Sequence, residues 1–169
     1  MFTESYRSTW EKGWKGRELA LKIIYSLQDQ DSSIDEVLAD FWANFHFRDD
    51  VLGDSLDEVQ VPVPPEIREF AEGLVRGVSD HLERIDQMLA ELSTNWALDR
   101  MARVDLSLLR LAAYELLCRP DVPTSVVLNE AIEIGKVFGT KETPSFINGV
   151  LDKLSRHCRQ SDHGRSSGS

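Results

Sequence analysis

Apolar residues in this chain recur at helical spacing wherever they cluster, and they never alternate with a period of two over the length of a strand. Ala20, Ile23, Ile24 and Leu27 fall at i, i+3, i+4 and i+7 and make one stripe. Ile34, Val37, Leu38, Phe41 and Phe45 make a second, with Ser33 as N-cap and Glu36 three residues on to complete a capping box. Ile67, Phe70, Leu74, Val78, Leu82, Ile85, Leu89 and Leu92 then line one long helix, or two nearly collinear ones broken around Val78–His81. A short helix over Trp96–Met101 precedes one from Val104 to Cys118, which Pro120 stops. Pro123 opens a helix through Val137, with Gly139 placed as a left-handed C-cap. Thr143-Pro144 repeats the N-cap and first-turn pattern for a last helix, Ser145 to about Cys158. The pattern predicts an all-α bundle with mostly short connections. Residues 1–14 read as a loosely ordered segment, the acidic stretch Arg48–Pro65 as a long loop, and the Ser/Gly-rich residues 159–169 as a disordered tail.

A length of 169 residues suits one domain or two small lobes sharing a core. With 41% hydrophobic and 28% charged residues the chain can fold, so global disorder is set aside. No apolar run approaches the ~20 residues that span a bilayer, and Met1–Trp14 lacks a secretory h-region. A cytoplasmic location without membrane contact is expected. Cys118 and Cys158 have no metal-ligand spacing and fall on apolar helix faces, as core thiols do.

Catalytic signatures are missing. There is no P-loop, GxGxxG or GxSxG, and no glutamate is followed three residues later by histidine, as a di-iron bundle requires. His81-x-Glu83 has no Pro-Cys-x-x-Cys to complete a zinc-deaminase pattern. Glu66, Glu69 and Glu72 occupy the first turns of a helix, where acids complement the dipole. The chain is expected to be no enzyme and to carry no cofactor or metal.

The formal net charge of −10 opposes nucleic-acid binding, which draws its affinity from neutralised phosphates. The charge is uneven, however. Ten acids and one base (Arg48) lie between Asp29 and Gln60, whereas Lys12, Lys15, Arg17 and Lys22 cluster near the N-terminus.

Three stretches carry a more specific signal. Residues 96–117 read WALDRMARVDLSLLRLAAYELL, residues 122–154 read VPTSVVLNEAIEIGKVFGTKETPSFINGVLDKL, and residues 16–27 read GRELALKIIYSL. In order and spacing these resemble the W…R…VD…LR.A.YEL, P..V.INEA.E.AK.FG and FVNGVLD signatures of the NusB family, and its Arg-led first helix with a tyrosine, here Tyr25. The likeness covers roughly residues 15–155.

The resemblance implies a NusB-like bundle of about seven helices in two packed lobes, about 15–92 and 93–158. It implies a transcription antitermination factor that binds single-stranded boxA-type RNA of ribosomal RNA transcripts together with NusE, a small-subunit ribosomal protein. RNA polymerase would be engaged indirectly, through the elongation complex. The family's RNA contacts carry over to Lys15 and Arg17, with Lys12 just upstream, and to Lys141, Glu142 and Phe146. Its ribosomal-protein contacts carry over to Tyr25 and Asp105. Gly13 and Trp14 stand where the family often has arginines, and Leu106 where it often has a basic residue.

Residue by residue, several roles compete. Trp14 can stack on a base or pack into a lobe. Phe146 can do the same, since it shares helical spacing with Val150 and Leu154. Asp105 can cap the helix starting near Leu106 as well as meet a partner. Asn129 is read as satisfying backbone groups at a helix junction. Asn148-Gly149 is read as a close-packing site, since a helical glycine costs about 1 kcal/mol. A basic partner would offset the charge of the chain. The competing reading is a divergent NusB-fold interaction module without RNA binding of its own. An RNA-methyltransferase NusB-like domain would need a following catalytic domain. The helix faces allow a monomer or a homodimer.

Overall fold

The helical stripes become seven α-helices among the described residues, which are 2–27, 32–44, 63–93 and 97–166 of a computed structural model, with side chains described over 13–27, 32–43, 63–93 and 97–159. They are α1 (Phe2–Leu27), α2 (Ile34–Asn44), α3 (Pro65–Asp80), α4 (Leu82–Leu92), α5 (Arg103–Cys118), α6 (Thr124–Phe138) and α7 (Thr143–Ser166). A 3-10 turn, Leu98–Arg100, stands where a short helix from Trp96 is predicted, and Trp96 itself lies outside the described residues. Phe45 and residues 48–62 of the acidic loop also lie outside them.

Both terminal helices run further than the stripes suggest. α1 begins at Phe2 rather than after residue 14, and α7 continues to Ser166 rather than stopping near Cys158. No proline interrupts either extension, and adding residues to an existing helix avoids the cost of a new nucleus.

The Ser33 cap forms as read, its Oγ accepting the Glu36 backbone N–H at 3.3 Å. The break in the third stripe falls at His81, whose backbone N–H reaches Gly77 O at 3.2 Å and whose Nδ1–H donates to the same carbonyl at 2.9 Å. Gly77 faces the ring of Tyr114 so closely that any Cβ would overlap it. The bend between α3 and α4 is thus seated on the central helix α5.

The buried apolar side chains sort into two main clusters and one small one. Ala20, Ile23 and Ile24 of α1 pack with Val37 and Leu38 of α2, Leu74, Val75 and Val78 of α3, and Leu111 of α5. Leu19, Ile67 and Ala71 extend this side. The larger cluster joins α4, α5, α6 and α7 around Leu89, Leu108, Leu109, Ile134, Ile147, Leu151 and Leu154. Ile85, Met88 and Leu89 belong to it, so α4 packs with the C-terminal helices. α5 feeds both clusters and buries Leu106 through Leu109 without interruption, as a helix surrounded by others must.

The tight approach at Gly77 and the open space at Gly149 predict opposite outcomes. Gly77→Ala gains helix propensity but forces the Tyr114 ring to move, so a net loss of about 1–3 kcal/mol is expected. Gly149→Ala meets nothing within 4 Å and should gain about 0.5–1 kcal/mol. Urea unfolding of both variants checks the pair; a stabilised Gly77→Ala variant would refute the account of the α3–α4 seat.

Candidate functional site

Arg17, one of the basic residues expected on the surface, turns inward. It is 6% exposed and faces Glu115 of α5, itself 2% exposed. Arg17 Nε donates to both carboxylate oxygens, at 3.1 and 3.0 Å, and Nη2 donates to Oε1 at 2.6 Å. The Phe70 ring lies 5.5 Å from the guanidinium carbon. The guanidinium expected at the RNA is thus held by a buried carboxylate and turned away from solvent. Lys15 is exposed, and the side chain of Lys12 lies outside the described residues. Trp14 is partly buried against the larger apolar cluster, which favours packing over base stacking.

The other candidates gather at one end of the bundle. Tyr25 on α1 is 41% exposed, and the Arg103 guanidinium of α5 sits 4.7 Å from its ring centroid. Lys22, three residues earlier on α1, lies 5.6 Å from the Phe138 ring at the end of α6 and 3.6 Å from Glu18. Asp105 is in the first turn of α5, but Ala102 is the N-cap, so Asp105 does not cap the helix. Instead its Oδ1 accepts the Thr143 hydroxyl proton at 2.7 Å. Between α6 and α7 the loop carries Lys141 and Glu142, both exposed, with Thr140 Oγ1 donating to Glu142 Oε2 at 3.3 Å. Phe146 follows on the second turn of α7, half-buried against the larger cluster.

Three local expectations change here. Gly139 is extended, with φ −92° and ψ −170°, rather than left-handed. Its lack of a side chain is explained by Thr143, whose Oγ1, Cβ and Cγ2 fill the space a Cβ would take. Thr143 is not an N-cap, since Glu142 O already accepts the Phe146 N–H and Thr143 lies in the first turn. Asn148 and Gly149 are exposed, with no close packing at the glycine.

Asn129 is likewise exposed and makes no helix-junction bond, while its neighbour Glu130 is 3% exposed. Glu130 Oε2 accepts no hydrogen bond, and burial raises this carboxyl above its ordinary range, partly opposed by Arg17 and reinforced by Glu115 and Glu133. One buried guanidinium thus faces two buried carboxyls and is spent on Glu115. Periodicity misses Arg103, Thr143 and the Arg17–Glu115 pair, because each is defined by a contact across helices.

Among the described residues no helix is long and apolar enough to cross a membrane, and no group of three or more His, Cys, Asp or Glu could hold a metal ion. Burial pushes the Cys118 thiol up from its ordinary value, partly opposed by Arg84.

The buried network predicts two measurable effects. Arg17→Met strands Glu115 in the interior and should cost about 3–5 kcal/mol, most of it recovered in the Arg17→Met/Glu115→Leu double variant. Additive losses in a double-mutant cycle would disprove the coupling. Because the folded chain holds the Glu130 proton more tightly than the unfolded chain does, stability should fall as pH rises from the ordinary carboxylate range through the raised folded value. Glu130→Gln should remove that slope and raise stability at neutral pH in denaturant titrations; an unchanged slope would place the proton elsewhere.

Comparison with known proteins agrees with the helical fold. The NusB family model matches residues 15–156. A transcription antitermination protein NusB of Syntrophotalea carbinolica is 62% identical over 144 residues, covering 85% of this chain and 92% of that one. Its counterpart in Anaeromyxobacter dehalogenans is 45% identical over 140 residues, covering 83% and 87%. Among solved structures, a T. maritima NusB superposes with a TM-score of 0.67 at 30% identity, covering 84% of this chain and 90% of that one. A chain from the crystal structure of antitermination factors NusB and NusE with dsRNA shares the fold, with a TM-score of 0.68 at 18% identity over 87% and 98%. With the family model matched almost end to end along the helical bundle, this chain belongs to the NusB family.

Proposed function

We propose that this chain is a transcription antitermination and elongation factor that binds boxA-type RNA of ribosomal RNA transcripts together with the ribosomal protein NusE. Through that assembly it acts on the RNA polymerase elongation complex. The near full-length likeness to NusB proteins that bear the antitermination name carries the reading. The solved relative crystallised with NusE and RNA supplies the kind of partners. Two packed lobes, a cytoplasmic location and a role without catalysis complete the proposal.

The end of the bundle suits such a role. Tyr25, half-exposed and backed by Arg103, is a rigid aromatic anchor of the type enriched at protein interfaces. Asp105 offers a carboxylate to a basic ribosomal protein. Lys12, Lys15 and Lys141 are left for phosphates, and Phe146 offers a half-buried ring to an unpaired base. Glu142 cannot meet a phosphate, but a carboxylate can accept from an exocyclic base amine.

One observation favours the second reading, an interaction module with no RNA affinity of its own: Arg17 is withdrawn into the core, and the chain carries −10. RNA binding is therefore expected to appear with the partner present. Titrating boxA-type RNA into the chain, into NusE and into their mixture at two salt concentrations tests this. The mixture should bind more tightly than NusE alone, and Lys15→Gln should reduce the logarithmic salt slope by about 0.7, one single-strand phosphate contact. A mixture no tighter than NusE alone would leave only the interaction module.

A further inference from the structure

Thr143 is 0% exposed, yet its hydroxyl links two surfaces given different tasks above. Oγ1 accepts the backbone N–H of Thr140 at 3.0 Å and donates its single proton to Asp105 Oδ1 at 2.7 Å. The first bond closes the loop Gly139–Glu142 over the side chain. The second fastens that side chain to the opening turn of α5. Donating to a carboxylate polarises the hydroxyl and strengthens the bond it accepts.

Packing leaves the link little freedom. A Cβ on Gly139 would fall on Thr143, and one on Gly135 would lie 3.1 Å from its methyl. The loop therefore folds closely around this one side chain. Lys141 and Glu142 sit between the two ends of the Thr140–Thr143 bond and are exposed. Asp105 is half-buried rather than enclosed, and it is Oδ1 that accepts from Thr143.

We propose that Thr143 is a positioning residue for RNA recognition, which sets the loop carrying Lys141 and Glu142 from the Asp105 carboxylate. This rests on the functional reading above. Asp105 then serves both partner and RNA: the group that meets the ribosomal protein also orders, through Thr143, the loop that meets RNA. A partner donor on Asp105 holds the carboxylate in place and with it the loop.

The test uses the full chain with NusE and a boxA-type RNA, comparing wild type, Thr143→Val and Thr143→Ser. Three quantities are read: affinity for NusE without RNA, RNA affinity of the two-protein complex, and hydrogen exchange of the Thr140 amide. Valine keeps the shape but removes the hydroxyl. It should weaken RNA binding by the complex about tenfold, the worth of a hydrogen bond to a charged group, and speed Thr140 exchange. NusE affinity should fall much less than RNA affinity, since Tyr25 and the Asp105 carboxylate remain. Serine keeps the hydroxyl and should restore both RNA affinity and exchange protection. Undiminished RNA affinity in the valine variant, or failure of serine to restore it, overturns the proposal. A wild-type complex that binds no RNA instead overturns the functional reading, and this inference with it.

Discussion

The buried pair between Arg17 and Glu115 joins the first helix to the central one across 98 residues of sequence, and the placement of the functional end follows from it. Taking two charges out of water is costly, and only good geometry and complete pairing recover that cost. Both carboxylate oxygens are engaged here, and the ring of Phe70 covers the guanidinium. The glycines around Arg17 make this possible. A Cβ on Gly16 would overlap the Phe70 ring, and one on Gly13 would lie 2.9 Å from Arg17 Nη1, an atom the carboxylate keeps from moving freely. Gly13, which looks like a lost arginine when the sequence is compared with its family, is room made for the arginine that remains.

Pinning Arg17 inward fixes the rotation of α1 and sorts its other residues. At 3.6 residues per turn, positions two apart point about 200° from each other, so Lys15 must face away from the side that holds Arg17. Tyr25, eight residues on, comes round to within about 80° of Arg17 and about 12 Å further along, at the rim of the buried face. There Arg103 backs it from α5. Lys22 reaches the end of α6, and Asp105 reaches the start of α7. The candidate interface is thus the meeting point of helix ends whose relative placement depends on one interior ion pair.

Much of the fold was legible because burial imposes a period, and the helices that pack are those whose stripes could be traced. The same rule distinguishes Asn129 from Glu130. Val127, Ala131 and Ile134 are buried, and residue 130 lies one helical step from them whereas residue 129 does not. The interior role expected of Asn129 belongs to its neighbour Glu130. The site was less legible because its geometry depends on partners remote in sequence. Lys15 and Arg17 look alike as neighbours in a basic cluster, and only Glu115, far along the chain, separates them. Thr143-Pro144 and Gly139 matched the local grammar of helix ends, yet Thr143 bonds to Asp105 and displaces any side chain at 139. Local patterns name the residues at a junction; tertiary contacts decide which way each one faces.

The same withdrawal of charge is compatible with an acidic chain serving in the proposed RNA-binding assembly. Around the functional end the cations are largely spoken for: Arg103 lies on Tyr25, Lys22 is shared between Glu18 and Phe138, and Lys136 pairs with Glu133 at 2.8 Å. Strong long-range attraction for phosphate would need an unpaired basic surface, and the overall −10 repels it. What this end offers instead is position: an aromatic anchor, a carboxylate and a loop held by a buried hydroxyl. Such groups discriminate between ligands more than they attract them, because their worth depends on geometry at contact rather than on charge at a distance. A basic partner seated on the acidic chain would supply the attraction, leaving this chain to supply the fixed geometry against which a particular RNA sequence is fitted.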